Sequence, residues 1–251
     1  MIAVDTTLIV VAFLTFCRVG TCLMIMPGLS SPRVPMQVRL ALAAGLSLAL
    51  TPLSEPALRP LVEPQVWTRM LGLVLSEMAT GGLIGACARA FFGALQFMMQ
   101  GAATMAGYTG IPGVAPEEAE GSVPLSSLIT LTATTLFFVT GMHGEVALAL
   151  AQSYRVLVPA TSFDPQGALG EYVSVLSQAF ALALRVAAPF VVFAVIANLA
   201  IGLANKLTPQ IPVFFISMPF MLAGALAVLY ATGGHALAIF TDGFSQWLAQ
   251  G

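Results

Sequence analysis

Two histidines are the first places to look for chemistry in this 251-residue sequence, because histidine can act as a general base or bind a metal. His143 lies two residues before Glu145, but a His-Glu-x-x-His zinc site needs a second histidine on the same helix face, and the sequence has none there. His235 stands alone. A lone histidine beside glycines is more often a hydrogen-bonded residue at a helix end than a catalytic group. We therefore predict no metal site here.

Other catalytic and cofactor-binding patterns are also missing from the sequence. Ser126, Ser127 or Ser217 could pair with a histidine, but no Gly-x-Ser-x-Gly turn is present to expose a nucleophile. No phosphate-binding loop and no dinucleotide fingerprint occur, so any energy source must lie in a partner. We expect a protein that is not an enzyme and that needs no cofactor.

The three cysteines do not form a metal or redox motif. Cys17 and Cys22 are five residues apart and would lie on different faces of a helix, and Cys87 is flanked by alanines. No Cys-x-x-Cys pair occurs. We expect three buried free thiols.

Charged residues inside apolar runs are more informative. Only 8% of the residues are charged, and five of these charges fall within or close to long apolar segments: Arg18, Glu77, Arg89, Glu145 and Arg185. An arginine at the centre of a bilayer costs at least about 2.5–3.5 kcal/mol, so such groups must pair with each other, contact other subunits or face an aqueous cavity. Arg89 and Glu145 could instead reach water from segment ends. We interpret the five as subunit-interface or lumen charges, with no obvious partner for Arg18 and Arg185.

The composition places the chain among membrane proteins. Hydrophobic residues make up 58% of it and the mean hydropathy is +0.94. The net charge of −2 and nine scattered basic residues argue against a nucleic-acid partner. Asp5 is the only charge before Arg18, so we expect the first apolar run to be retained rather than cleaved as a signal peptide.

The apolar runs predict an all-α fold of six or seven helical segments in one domain of 251 residues, with a front portion over 1–170 and a C-terminal helical hairpin over 171–251. The helical runs are Val4 to Met26, Leu40 to Leu50, Met70 to Met105, Leu125 to Leu150, Tyr172 to Leu203 and Val213 to Phe240, and glycines interrupt the fourth of them. Gly81, Gly82 and Gly85 are expected to let a neighbouring backbone approach.

Prolines predict where these helices stop. Thr51-Pro52 is expected to end a helix, and the prolines of Glu55 to Gln65 predict an extended polar connector. Tyr154 to Gly170 is expected to be a second connector. The last two runs meet at a bend marked by Lys206, Pro209 and Pro212, where the lysine can cap the preceding helix.

Three separated segments resemble the FliR family, the flagellar biosynthetic membrane proteins of the type III export gate. They are NLAIGLANKLTPQIPVFFISMP from Asn198, MPGLSSPRVPMQVRL from Met26 and FFVTGMHGEVALAL from Phe137, and they occur in the family's order. With the apolar pattern between them, the resemblance covers nearly the whole chain. Related virulence secretion proteins carry a lysine soon after the Ser-Met-Pro position, where this chain has Phe220-Met221, so the resemblance favours a flagellar member.

The resemblance implies a structural, pore-forming subunit of the flagellar export gate in the bacterial inner membrane, at the basal body. Its implied partners are the two smaller hairpin-type subunits and the larger export-gate proteins, and its implied substrates are unfolded flagellar proteins. The C-terminal hairpin would imitate the smallest subunit. A secondary transporter is the alternative, since the bends at Ser31 to Pro35 and Thr208 to Pro212 share a pattern that inverted repeats could produce.

The segment GYTGIPGVAPEEAEG, from Gly107 to Gly121, is unlike the rest of the chain. Its glycines and prolines disfavour both helix and strand, and its three glutamates favour a hydrated position. By itself this composition fits an exposed connector, whereas the resemblance implies a plug that obstructs the channel until a substrate arrives. The predicted plug residues are Gly107, Gly110, Pro112, Gly113, Pro116, Glu117, Glu118, Glu120 and Gly121.

Deleting Ile111 to Glu120 separates these two interpretations. A plug deletion is expected to let small ions leak across the inner membrane, because the channel loses its obstruction. A conductance or dye-leakage assay measures this. An intact barrier in a strain whose complex assembles normally would rule out the plug.

Overall fold

The computed structural model describes residues 6–30, 34–62, 67–105, 124–156, 163–208, 210 and 213–250. These residues form seven α-helices and no β-strand, which confirms the all-α prediction. The helices are α1 (Thr6–Ile25), α2 (Met36–Val62), α3 (Trp67–Met105), α4 (Pro124–Val139), α5 (Met142–Val156), α6 (Pro165–Leu207) and α7 (Val213–Gln250).

The chain divides into two compact units. Unit 1 comprises Met1–Ala90, Phe138–Leu176 and Ser245–Gly251, and unit 2 comprises Phe91–Phe137 and Ser177–Phe244. The long helices α3, α6 and α7 each contribute residues to both units. The division into a front portion and a C-terminal hairpin at residue 170 stays a prediction.

Helix α2 is longer than the sequence predicts. It continues through Pro52, Pro56 and Pro60 to Val62. The prediction that the helix ends at Thr51-Pro52 is therefore wrong. The prediction of an extended connector is wrong for its first part, from Glu55 to Val62. The three prolines are four residues apart and all exposed, so the missing backbone hydrogen bonds lie on one face of the helix.

The opposite face of α2 explains why the helix survives its prolines. This face is buried and packs in unit 1, where Leu58 and Val62 join the apolar core formed with Val11, Leu14 and Leu73. Burial of a Leu or Val side chain contributes about 1.5–3 kcal/mol, so several such residues offset the loss of the proline hydrogen bonds. Tertiary packing therefore decides the conformation of this segment.

Helices α4 and α5 form a broken pair, as the glycines predict. Their axes are bent by 69° at a break after Val139, where Gly141 adopts a left-handed φ of 78°. Glycine is favoured there because a Cβ atom would be strained in that conformation.

The second predicted connector is shorter than expected. Tyr154 is still helical in α5, and α6 already begins at Pro165, so the prediction of a connector from Tyr154 to Gly170 is wrong at both ends. Asp164 caps α6, because its carboxylate oxygens accept hydrogen bonds from the backbone N–H groups of Gln166 (3.1 Å) and Gly167 (3.2 Å). Proline fits the first turn of a helix, where its missing N–H has no partner to lose.

Within unit 2, helices α6 and α7 pack antiparallel to each other. In unit 2 the Phe193 ring lies directly over Gly224, where any side chain would collide with it, and Ala194 and Ala225 are buried together. Further along α7, a Cβ atom on Gly243 would come within 2.7 Å of the side chain of Leu182, which precedes Phe193 in α6. The later contact residue on α7, Gly243, thus meets the earlier contact residue on α6, Leu182, which shows that the two helices run antiparallel.

A cluster of phenylalanines joins α3, α4 and α7 within unit 2. The Phe92 ring meets the rings of Phe137, Phe240 and Phe244 edge to face, with centroid distances of 6.0, 5.1 and 5.7 Å. Phe91 contacts Phe244 in the same way at 5.4 Å. Such pairs contribute about 0.5–1.5 kcal/mol each beyond their buried area, so this cluster stabilises the packing of the three helices within unit 2.

Among the described residues, five helices are long and apolar enough to cross a membrane, or six if the bent α4–α5 pair counts as one span. α1, with 20 residues, is about 30 Å long, which matches the hydrocarbon core of a bilayer. α6, with 43 residues, reaches about 65 Å. The longest helices must therefore tilt, bend or project beyond the hydrocarbon layer.

Glycines on α3 bring it against the backbone of α1, as the sequence predicts. The position that a Cβ atom would take on Gly81 coincides with the backbone carbonyl of Arg18, and on Gly85 it would lie 2.7 Å from the carbonyl oxygen of Cys22. Gly82 is different, because a Cβ atom there would meet only Ile25 at an ordinary 3.7 Å. The close approach thus depends on Gly81 and Gly85.

We predict that Gly81→Ala destabilises the protein by about 1–3 kcal/mol, because its methyl group forces α1 and α3 apart. Gly82→Ala is the matched control and should be neutral or stabilising by up to about 1 kcal/mol, since alanine favours a helix. The midpoint of thermal unfolding, measured in isolated membranes from cells that also contain the partner subunits, checks both. Equal stability of the two variants would contradict the close packing.

Candidate functional site

Arg18 and Glu77 form a buried ion pair between α1 and α3. The guanidinium donates through Nε to Glu77 Oε2 at 2.7 Å and through Nη2 to Glu77 Oε1 at 2.9 Å. The two side chains are 1% and 0% exposed. Two parallel charge-assisted hydrogen bonds fix both the distance and the orientation of the helices, because a guanidinium and a carboxylate fit together in one plane.

Helix α5 completes this network with two consecutive residues. Arg18 Nη1 donates to Ser153 Oγ at 3.0 Å, and the hydroxyl of Tyr154 donates to Glu77 Oε2 at 3.3 Å. The guanidinium also lies over the Tyr154 ring, with its carbon 3.9 Å from the ring centroid. A cation over an aromatic face is attracted by about 2 kcal/mol or more when water is excluded.

A second polar contact ties α2 to α1 one turn before Arg18. The hydroxyls of Thr15 and Ser54 share a hydrogen bond of 2.7 Å, and Thr15 also donates to the backbone carbonyl of Val11 at 2.9 Å. Within the described part of the chain, every buried side-chain nitrogen or oxygen has a hydrogen-bond partner. The polar network of unit 1 is therefore fully satisfied, which is the condition under which buried polar groups give a rigid, specific structure.

The prediction that Arg18 lacks a partner in the chain is wrong. Of the three alternatives for intramembrane charges, mutual pairing holds for Arg18 and Glu77, which lie inside unit 1. The sequence contains one sign of this pair, because Arg18 and Glu77 are opposite charges in two apolar segments. Ser153 and Tyr154 were missed because they lie 135 and 77 residues from their partners along the chain.

The other predicted charges lie on the surface. Arg89, Glu145 and Arg185 are all exposed, as are His143 and His235. A subunit-interface or lumen role for these three charges stays a prediction.

The predicted plug, Gly107 to Gly121, lies outside the described residues. So do Pro209 and Pro212 of the hairpin bend, whereas Lys206 is exposed in the last turn of α6. The three cysteines are free and buried, as predicted. No group of three or more His, Cys, Asp or Glu residues that could hold a metal occurs in the described ranges.

We predict that Glu77→Gln destabilises the protein by about 3–5 kcal/mol, because it leaves the buried Arg18 charge without a counter-ion. The control is Glu55→Gln, which breaks the partly exposed 2.8 Å pair with Arg59 and should cost less than about 1 kcal/mol. Thermal unfolding in the same isolated membranes measures both.

A double substitution sharpens this test. Arg18→Met together with Glu77→Leu removes both charges and should recover much of the lost stability, because apolar pairs of similar volume replace buried ion pairs without large cost. A double variant no more stable than Glu77→Gln would show that the polar contacts of α5, rather than the charge balance, hold unit 1 together.

Comparison with known proteins identifies the family. Residues 9–247 match the sequence model of the bacterial export proteins, family 1. The chain is 28% identical to the flagellar biosynthetic protein FliR of Caulobacter vibrioides over 95% of this chain and 94% of that protein. It is also 28% identical to FliR of Aquifex aeolicus, over 88% of this chain and 84% of that protein.

A third relative comes from a secretion system. The chain is 31% identical to the secretion system apparatus protein SsaT of Salmonella typhimurium, over 66% of this chain and 65% of that protein. The matched region of the family extends over α1 to α7 and so includes both the buried network and the C-terminal hairpin. The chain belongs to the bacterial export proteins, family 1, the family of the flagellar biosynthetic protein FliR.

Proposed function

We propose that this protein is a structural, pore-forming subunit of the flagellar type III protein export gate in the bacterial inner membrane, at the basal body. The observation that carries the proposal is the family match over residues 9–247. The two relatives named FliR align with most of both chains, whereas SsaT aligns with 65% of its own length. This difference supports a flagellar rather than a virulence system.

The surface of the C-terminal hairpin supports a role inside a larger membrane assembly. On α7, Ile216, Phe220, Leu226 and Tyr230 are 54%, 73%, 51% and 94% exposed and follow one face of the helix. Such a continuous apolar face is unfavourable in water. Lipid or neighbouring subunits must therefore cover it.

The exposed charges point to subunits or a lumen rather than lipid alone. Arg89 on α3 and Arg185 on α6 are exposed on helices that are otherwise apolar enough to cross a membrane. A charged group that faced lipid would be costly. We propose that these side chains face partner subunits or the water-filled export path, through which unfolded flagellar proteins pass.

Deletion of the protein is expected to abolish secretion of hook and filament proteins, because the wall of the export pore is incomplete without this subunit. Immunoblots of culture supernatants measure the secreted proteins, and a plasmid copy should restore them. A deletion strain that still swims would contradict the flagellar assignment.

The chain expressed alone is expected to aggregate or be degraded, since the apolar hairpin face and the surface charges lack their neighbours. Co-expression with the other export-gate membrane subunits should stabilise it and allow their co-purification. If size-exclusion chromatography in detergent shows a stable, monodisperse monomer, the subunit proposal fails and the secondary-transporter alternative gains.

A further inference from the structure

The three prolines inside α2 leave three backbone carbonyls on its exposed side without their usual donors. In a regular helix each N–H donates to the carbonyl four residues earlier, and proline has no N–H. Pro52, Pro56 and Pro60 all lie within α2 and are exposed. The carbonyls of Leu48, Pro52 and Pro56 therefore lack these donors. They follow one another at about 6 Å along the helix axis and form a row of hydrogen-bond acceptors.

The hydroxyl groups nearest to this row along α2 are bound elsewhere. Thr51 Oγ1 donates to the backbone carbonyl of Ser47 at 2.7 Å, and Ser54 Oγ donates to the backbone carbonyl of Thr51 at 3.1 Å. All three residues are buried, so their hydroxyl groups belong to the packed side of the helix. Donors for the exposed row therefore have to come from beyond α2.

Neither lipid nor water suits this side of α2. Lipid tails carry no donor, so a carbonyl that faces them without a partner is costly. Water would supply donors, but Leu42, Leu48 and Leu53 flank the prolines and are 49%, 65% and 47% exposed. Such an apolar surface is unfavourable in water. A protein surface that combines apolar contact with side-chain donors satisfies both requirements.

Small residues allow a neighbouring helix to come close to the same side of α2. A Cβ atom on Gly45 would meet nothing within 4 Å. Ala41 and Ala49, one turn before and one turn after Gly45, are also exposed, and the helical period places all three residues on the side of the prolines. Small residues four apart let helix backbones approach each other in membranes. Side chains of a neighbour can therefore reach the carbonyls.

We propose that this proline face of α2, from Ala41 to Pro60, is the docking surface for a helix of a partner subunit. The side-chain N–H groups of that helix, from lysine, arginine, asparagine or glutamine, donate to the row of carbonyls. That the partner is an export-gate subunit rests on the proposed function, whereas the surface and the chemistry of its partner are inferred from α2 itself. The prolines then present acceptors to a neighbour instead of ending the helix.

Substitution of two prolines by alanine tests the acceptors. Pro52→Ala together with Pro56→Ala restores two N–H groups, so two of the three carbonyls become bound within α2, and alanine also favours the helix. The co-expressed complex, purified through a tag on this chain, should then contain roughly three- to tenfold less partner per chain, because interhelical hydrogen bonds are lost. Leu40→Ala, at an exposed residue on another side of α2, is the control and should retain the partner. An unchanged partner ratio in the proline variant would overturn the proposal.

Photo-crosslinking in cells tests the surface without changing any proline. A photo-reactive phenylalanine analogue in place of Leu53 should form an adduct with a partner subunit, which mass spectrometry identifies. The same analogue in place of Leu40, about 140° away around the helix, should form far less of it. Adducts from the Leu53 position with lipid alone or with a second copy of this chain would overturn the docking surface, as would the absence of any adduct.

The two measurements also separate this inference from the proposed function. If the unsubstituted chain co-purifies with no export-gate subunit, the proposed function fails. The docking surface is then supported only if the Leu53 position crosslinks to another membrane protein and if Pro52→Ala with Pro56→Ala weakens that adduct by the same three- to tenfold factor expected for lost hydrogen bonds, roughly. An adduct that the proline substitutions leave unchanged would overturn the role of the carbonyls.

Discussion

Unit 1 depends on the ion pair of Arg18 and Glu77, because two charges withdrawn from water must satisfy each other. Taking each ion out of water costs several kcal/mol, and only a close, well-oriented partner with additional hydrogen bonds offsets that cost. Here the guanidinium has both carboxylate oxygens and Ser153, and the carboxylate also accepts from Tyr154. The arrangement of α1, α3 and α5 follows from this requirement, since moving any of the three helices leaves a buried charge or hydroxyl without a partner.

Small residues make this geometry attainable. The carbonyl of Arg18 lies against Gly81, one turn after Glu77 on α3, so the backbones of α1 and α3 meet beside the ion pair. A side chain at that position would move the helices apart and lengthen the charged hydrogen bonds. Close packing and the buried pair therefore support each other, as hydrogen-bonded residues and small residues do at helix contacts within membranes.

Unit 2 is held by different interactions. Two of its contact regions are apolar, the phenylalanine cluster around Phe92 and the close α6–α7 packing at Gly224. Apolar contacts lack the directional constraint of a charge pair, so Asn198 stands out as a polar side chain of unit 2 that bridges two helices.

The sequence by itself determined the class of the protein and most of its helices, because long apolar runs can be stable only as helices in a bilayer or an apolar assembly. It also determined the α4–α5 break, since glycine acts locally on the backbone. The tertiary structure decided the rest. The prolines of α2 do not end the helix because Leu58 and Val62 are buried on its other face, and Arg18 finds Glu77 because α3 packs against α1. Both outcomes depend on contacts between residues far apart in the chain, and the sequence positions of those residues do not reveal which helices will meet.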